Sequence, residues 1–252
     1  VMALVAANGE RIAPEEFLAA ILARLILDPA APPARHIAVG AASPIPAAAC
    51  WLVKKRGHEV RLSLLHKTQG NPFSEGTREL FDLTGQGRID LFFLGGGEID
   101  GEANINLIGT GEWPGREARF PGSFGSAFMY LMTPRTILFR EEHSPRVLVP
   151  RVAFISAPGI SPPGHFRRGT AQALVTGRAV FTFDGKRFTL ASCHPGETPA
   201  GIAAQTGFAY ETPPSVAATP LPSAAELALL RGPVCDEMRA TYPGFCARVW
   251  GA

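Results

Sequence analysis

Apolar residues recur at helical spacing over Phe17, Leu18, Ile21, Leu22 and Leu25. Pro14-Glu15-Glu16 opens that helix, since proline suits the first helical position and acids suit the positive N-terminal end. Asp28-Pro29 stops it, and Pro32-Pro33 makes a rigid link. Ile37 to Ala41 then reads as a short buried strand. Pro46 begins a second helix, running through Trp51 to Lys55 and stopped by Gly57. Glu59 to Leu65 is the next strand, Thr77 to Leu83 a helix, and Ile89 to Leu94 a buried strand that runs into Gly95, Gly96 and Gly97. Strand and helix alternating at this pitch predict an α/β fold: one domain over 1–252, with an open, largely parallel mixed sheet flanked by helices.

The second half is richer in strands and turns. Thr136 to Arg140 is a strand, and Val147 to Ser156 reads as extended around Pro150. Ala173 to Ser192 predicts a hairpin about the Asp184-Gly185 turn. Thr198 caps a helix over Pro199 to Gln205, Thr212 to Pro222 is a proline-rich linker, and Ser223 caps a last helix to Arg231.

Composition narrows the function classes. The 252 residues are 46% hydrophobic and 18% charged, which suits a large core and excludes a disordered chain. The net charge is +2 without a lysine-arginine block, so neither nucleic acid nor an acidic membrane surface is an expected partner. No apolar run approaches the roughly 20 residues of a spanning helix. The N-terminus lacks a basic segment leading into a cleavable apolar core, and Val1-Met2 has the look of a scar or an internal start. Cys50, Cys193, Cys235 and Cys246 are scattered, as free thiols in a reducing cytosol would be. The six histidines do not cluster at metal spacing, so no metal is expected.

The stretch from Gly87 to Ala127 carries the candidate chemistry. Three adjacent glycines after a buried strand permit positive φ and close backbone approach. They fall beyond a strand's carboxyl end, where open α/β sheets bind ligands. Pro121-Gly122-Ser123-Phe124-Gly125 repeats the device, and its backbone N–H groups are suited to a developing negative charge. Two tight turns at strand ends account for the same glycines without chemistry.

Order and spacing of several motifs decide between these readings. GRIDLFFLGGGEIDGEANIN, PGSFGSA and VAFISAPG (Val152 to Gly159) follow one another, then VFTFDGKRFTLASCHPGETP and TGF. Over roughly residues 37 to 231 the chain resembles the β subunit of family I coenzyme A transferases, most closely the glutaconate-type subunits. It is also similar to the β subunit of cholesterol ring-cleaving CoA hydrolases. The resemblance implies a heteromer with a separate α subunit, a coenzyme A thioester as substrate, and no permanently bound cofactor. It also implies that Gly96, Gly97, Asn104, Asn106, Gly122 and Ser123 hold coenzyme A, with an oxyanion donor at the glycine loops, Gly125 included.

The pattern departs from the family at one place. Most family β subunits carry a nucleophilic glutamate just after the strand that here ends in Leu65-His66. Glu75, in Ser-Glu-Gly, comes about ten residues later and is either a displaced nucleophile or an ordinary helix-start acid. His66 is a general-base candidate or a strand-end surface histidine. Glu98 and Asp100 follow the triple glycine and either orient a substrate or cap the turn. Ala103 and Phe124 stand where the family has glycine, and an aromatic side chain at 124 narrows the pocket or stacks on the ligand. His143 matches a histidine common in the family, with a structural or pocket-lining role.

Overall fold

The computed structural model describes residues 4–5, 9–67, 73–112, 114 and 117–252. Val1-Met2 and residues 68–72 of the His66–Gly76 segment lie outside them. In chain order the elements are β1 (Leu4–Val5), β2 (Arg11–Ile12), α1 (Pro14–Ile26), β3 (His36–Val39), α2 (Pro44–Lys55), β4 (Arg61–Leu64), α3 (Thr77–Gly85) and β5 (Leu91–Leu94). Next come the short strands β6 (Glu98–Ile99), β7 (Ile105–Asn106), β8 (Gly109–Thr110) and β9 (Ala118–Arg119). Then follow α4 (Ser126–Met132), β10 (Arg135–Arg140), β11 (Thr170–Thr176), β12 (Ala179–Phe183), β13 (Phe188–Cys193), α5 (Pro199–Gln205) and β14 (Ala217–Ala218). The chain closes with α6 (Ala224–Leu229), a π-helical turn (Leu230–Val234), α7 (Cys235–Arg239) and α8 (Pro243–Trp250).

The expected α/β class holds. Eight strands form a mixed sheet in the order β14-β13-β12-β11-β10-β5-β3-β4. β3–β4, β10–β11 and β13–β14 pair parallel, while β11, β12 and β13 form an antiparallel meander. Contacts divide the chain into two compact units. One comprises Val1–Leu80, Arg88–Leu91 and Pro220–Ala252, the other Phe81–Gly87 and Phe92–Thr219.

In the first unit, α1 starts as its sequence signals. Pro14 stands in the first turn, and Glu16 accepts from the Ala13 N–H at 2.8 Å. Glu16 is 2% exposed, and its charge is matched by Arg231, whose Nε donates to Oε1 at 2.6 Å and Nη2 to Oε2 at 2.9 Å. Such a charge-assisted fork is what a buried carboxylate needs. Trp250 Nε1 donates to the same Oε1 oxygen at 3.2 Å, tying the C-terminal helices to α1. The sequence made the helix capped by Ser223 the last, ending at Arg231; instead, after the π-helical turn two further helices, α7 and α8, run to Trp250. His36 is buried at the start of β3, between the Arg88 carbonyl at 2.9 Å and Ser63 Oγ at 2.8 Å, and so is part of the scaffold.

In the second unit, Phe181, Phe188, Phe208 and Tyr210 pack together over the meander. Phe183 pairs with Phe188 across the Asp184–Arg187 turn, where Asp184 Oδ1 accepts from the N–H groups of Lys186 and Arg187. The expected hairpin is there, joined by β11 into three strands. Thr198 caps α5 by accepting from Gly201 N at 3.1 Å. Val147 to Ser156, read as extended around Pro150, is irregular, with turns and one isolated bridge. It meets the glycine-loop segment through a bridge between Leu148 and Ile99, and Ala157 beyond it bridges to Ile105. The proline-rich stretch expected to be a linker contributes β14 to the sheet.

Candidate functional site

Gly95, Gly96 and Gly97 follow β5 as expected, but none of the three has positive φ. Glycine is required there for space. A Cβ on Gly95 would lie 2.6 Å from the Phe139 carbonyl oxygen, and one on Gly96 2.6 Å from Ile105 Cγ2 and 2.9 Å from the Glu98 carbonyl oxygen. One on Gly97 would lie 2.2 Å from the Phe120 ring. Gly97 N–H is spent on the Asn106 carbonyl at 2.9 Å. The glycines thus let β6 and β7 fold back tightly on the end of β5.

The second glycine loop is tied to the segment that follows β7. Gly122 N–H donates to the Leu107 carbonyl at 2.9 Å and Phe120 N–H to the Ile108 carbonyl at 3.0 Å, above the β8–β9 ribbon. Gly122 has φ +103, a left-handed conformation that favours glycine. Ser123 follows it, its carbonyl accepting from Ser126 N–H at 2.8 Å. Gly125 caps α4, and a Cβ there would lie 2.2 Å from the Phe81 ring. Phe81 also packs on Phe124 at 5.5 Å and Phe128 at 5.9 Å between ring centres. Phe124 is 78% exposed with φ 45, and Ala103 is buried with φ 59. Both positions where glycine is replaced keep the backbone shape glycine would adopt, at a cost of about 1–2 kcal/mol each.

Glu98, Asp100, Asn104 and Asn106, between the loops, are buried. Asp100 is 3% exposed. Its Oδ1 accepts from Glu102 N and Asn104 N, both at 3.1 Å, and its Oδ2 from Asn104 Nδ2 at 3.2 Å and Val152 N at 3.3 Å. Asn104 Nδ2 also donates to Glu102, and its Oδ1 accepts from Gly159 N at 3.0 Å. Asn106 Nδ2 donates to Glu98 Oε2 at 2.6 Å and the Gly109 carbonyl at 2.9 Å, while its Oδ1 accepts from Ile108 N and Gly109 N. Both asparagines therefore spend their amide groups on shaping the loop. Glu98 Oε2 takes a second bond from Ala153 N at 2.8 Å.

Glu75 belongs to the other unit. Its side chain is 64% exposed and sits 3.8 Å from Arg78, while Glu79 rather than Glu75 secures the start of α3 by accepting from Ser74 N and Glu75 N. His66, at the end of β4, is exposed and stacks flat on Tyr242 at 5.0 Å. A cavity of about 650 Å³ in that unit is lined by Lys54, Gly57, His58, Glu59, Val60 and Arg61, none of them a candidate site residue.

Sequence reasoning passed over three supports of the glycine-loop region. Tyr130 Oη donates to the Ala103 carbonyl at 3.1 Å, and burial pushes this phenol up. Arg167 lies 4.7 Å over the Tyr130 ring and donates to the carbonyls of Gly169 and Pro158, with burial lowering its basicity. Gly159 approaches the backbone of Glu102 and Ala103. Only Gly159 had a sequence signal, as the end of the VAFISAPG motif.

His143 is a scaffold residue, 7% exposed, between Thr176 Oγ1 at 2.8 Å and Thr206 Oγ1 at 3.0 Å. His194, 4% exposed, sits between Thr219 Oγ1 and the Thr176 carbonyl, each at 2.9 Å. Burial, reinforced by Arg178, pushes His143 down to about 4, and burial pushes His194 down to about 4. Both folded values lie below the unfolded value of about 6.5, so protons favour the unfolded chain. The stability these neutral rings contribute is complete above pH 6.5 and lost as pH falls toward 4. At pH 5 the loss is about 2 kcal/mol per histidine, from 1.36 kcal/mol per pKa unit. Urea midpoints at pH 7 and pH 5 measure it, and a folded His143→Gln variant is expected to show the smaller drop.

With this sheet and these loops, the chain is similar to the β subunits of CoA-transferases, the likeness its motifs implied. It is 30% identical to the β subunit of the 3-oxoadipate CoA-transferase of Pseudomonas knackmussii over 164 residues, 62% of this chain and 63% of that one. It is 28% identical to the β subunit of the glutaconate CoA-transferase of Acidaminococcus fermentans over 127 residues, 47% of each. The matches therefore span less than two thirds of either curated relative. Among solved structures, the decarboxylase AibA/AibB superposes with a TM-score of 0.71 at 25% identity, covering 96% of this chain and 100% of that one. The glutaconate CoA-transferase of A. fermentans shares the fold, with a TM-score of 0.75 at 19% identity over 91% and 97% of the two chains. No family model matches the chain.

Proposed function

We propose that this chain is the β subunit of a two-subunit cytoplasmic enzyme that acts on acyl-CoA thioesters, and that it works as one domain over 1–252. The CoA-transferase reading moves coenzyme A between an acyl-CoA and a free carboxylic acid. One observation carries the thioester site: the second glycine loop folds back toward the first, with the Phe120 ring lying 2.2 Å from where a Gly97 Cβ would stand and Gly122 N–H bonded to the Leu107 carbonyl. Backbone N–H groups at Gly96, Ser123 and Gly125 are our candidates for meeting the thioester and its oxyanion. The free thiols of all four buried cysteines accord with a reducing compartment. Among the described residues no helix is long and apolar enough to cross a membrane.

A second reading is favoured by the end of β4. Leu65 cannot be acylated, an acyl-imidazole on His66 would hydrolyse, and Glu75 is exposed beside Arg78. Transfer through a glutamyl thioester needs a carboxylate nucleophile, which on this reading belongs to the α partner or is dispensed with. Hydrolysis or ring-opening of a CoA ester then replaces transfer. The full-length likeness to a decarboxylase supports chemistry other than transfer.

The test is to purify the chain with the partner it captures on co-expression, supply acetyl-CoA with and without free acids, and reduce with borohydride before mapping adducts by mass spectrometry. Turnover is expected only in the complex, with no adduct on this chain. Enzyme-like turnover by the isolated chain would remove the partner from the proposal. An adduct at Glu75 or Glu98 would restore the ordinary transferase mechanism.

A further inference from the structure

Glu98 has an arrangement that loop scaffolding alone does not require. It is 7% exposed, and both of its hydrogen bonds fall on a single oxygen, Oε2, which accepts from Asn106 Nδ2 and Ala153 N. Among the described residues Oε1 accepts no hydrogen bond, and no lysine or arginine pairs with the carboxylate. Neighbouring Asp100 is the contrast, with both oxygens filled by four donors. Oε1, without a partner on the chain, is not enclosed, so it reaches solvent and is available to a donor brought from outside. Its holder is rigid, because Asn106 is itself locked by Gly109 and Ile108.

We propose that Glu98 is the general base of this site, its Oε1 holding and deprotonating the water that attacks a CoA thioester. The inference rests on the thioester reading above and deepens its hydrolytic branch. Glu98 takes one proton from the water, and the hydroxide oxygen forms a bond to the thioester carbonyl carbon. The carbon–sulfur bond then breaks, and the proton passes from Glu98 to the departing thiolate. The products are a carboxylic acid and coenzyme A, and nothing is oxidised or reduced. Asn106 and Ala153 keep the carboxylate aimed throughout.

Glu98→Gln separates this role from scaffolding. The amide oxygen accepts both existing bonds, while the open acceptor becomes an NH2 donor that cannot take a proton. With acetyl-CoA as probe and the purified complex, kcat is expected to fall by about 10²–10⁴, with KM within about threefold and an unchanged melting temperature. Glu98→Ala is expected to regain part of its rate in added formate, which supplies a small carboxylate; a residue that only shapes the loop shows no such rescue. Glu98→Gln retaining a third or more of wild-type kcat, or Glu98→Ala insensitive to formate, overturns the inference and leaves the thioester reading standing. A wild-type complex with no thioester turnover overturns both.

Discussion

Gly125→Val in the assembled enzyme is expected to lose about 10²–10³ in acyl-CoA turnover, the cost of one oxyanion donor or about 2.7–4 kcal/mol. The backbone at Gly125 has φ −99, which any residue adopts, so conformation is not the obstacle. Space is: the new Cβ would lie 2.2 Å from the Phe81 ring, which supports both Phe124 and Phe128. The ring is the end of a mobile side chain, so the fold loses only about 1–3 kcal/mol, while the loop carrying Gly122, Ser123 and Gly125 is displaced. Adding Phe81→Ala makes room. If turnover stays low in that double variant, the valine itself obstructs the site; if it returns, the loop's position was the whole effect. Unchanged turnover in folded Gly125→Val would reduce this loop to a turn.

Gly159→Ala carries the largest expected loss of stability, about 3 kcal/mol, at the upper end of overpacking costs. Its Cβ would fall 2.1 Å from the Glu102 carbonyl oxygen and 2.6 Å from the Ala103 carbonyl carbon and oxygen. These are backbone atoms, and Ala103 is already held in the left-handed region with its carbonyl bonded to Tyr130 Oη. Relief therefore requires moving the loop, and the Gly159 N–H bond to Asn104 Oδ1 goes with it. Gly185→Ala is the control. Its φ is +92, but nothing lies within 4 Å of the added carbon, so it costs about 1 kcal/mol from conformation alone. Urea unfolding of the three chains orders them. Equal losses for the two variants would refute the packing argument.

The sequence by itself determined what short-range chemistry writes. Pro14 and Glu16 begin α1, Thr198 caps α5, Ser223 and Glu226 form a reciprocal cap on α6, and Asp184 turns the β12–β13 hairpin. Each is a contact between residues a few positions apart, and each was legible as such. The alternation of these elements gave the α/β class, and the order of the glycine motifs gave the resemblance to CoA-transferase β subunits. Tertiary structure decided the rest, because the deciding bonds join residues about fifty positions apart. Glu98 meets Ala153, Asp100 meets Val152 and Asn104 meets Gly159, which makes the stretch that reads as extended at Val147 to Ser156 an irregular wall against β6 and β7. The triple glycine reads locally as freedom of φ, yet its φ values are ordinary; its purpose is the approach of Phe139, Ile105 and Phe120. Asn104 and Asn106 look available in sequence, but the fold has already filled their amides. Which oxygen of Glu98 stays open depends on two donors, Asn106 Nδ2 and Ala153 N, and only the folded chain places them together.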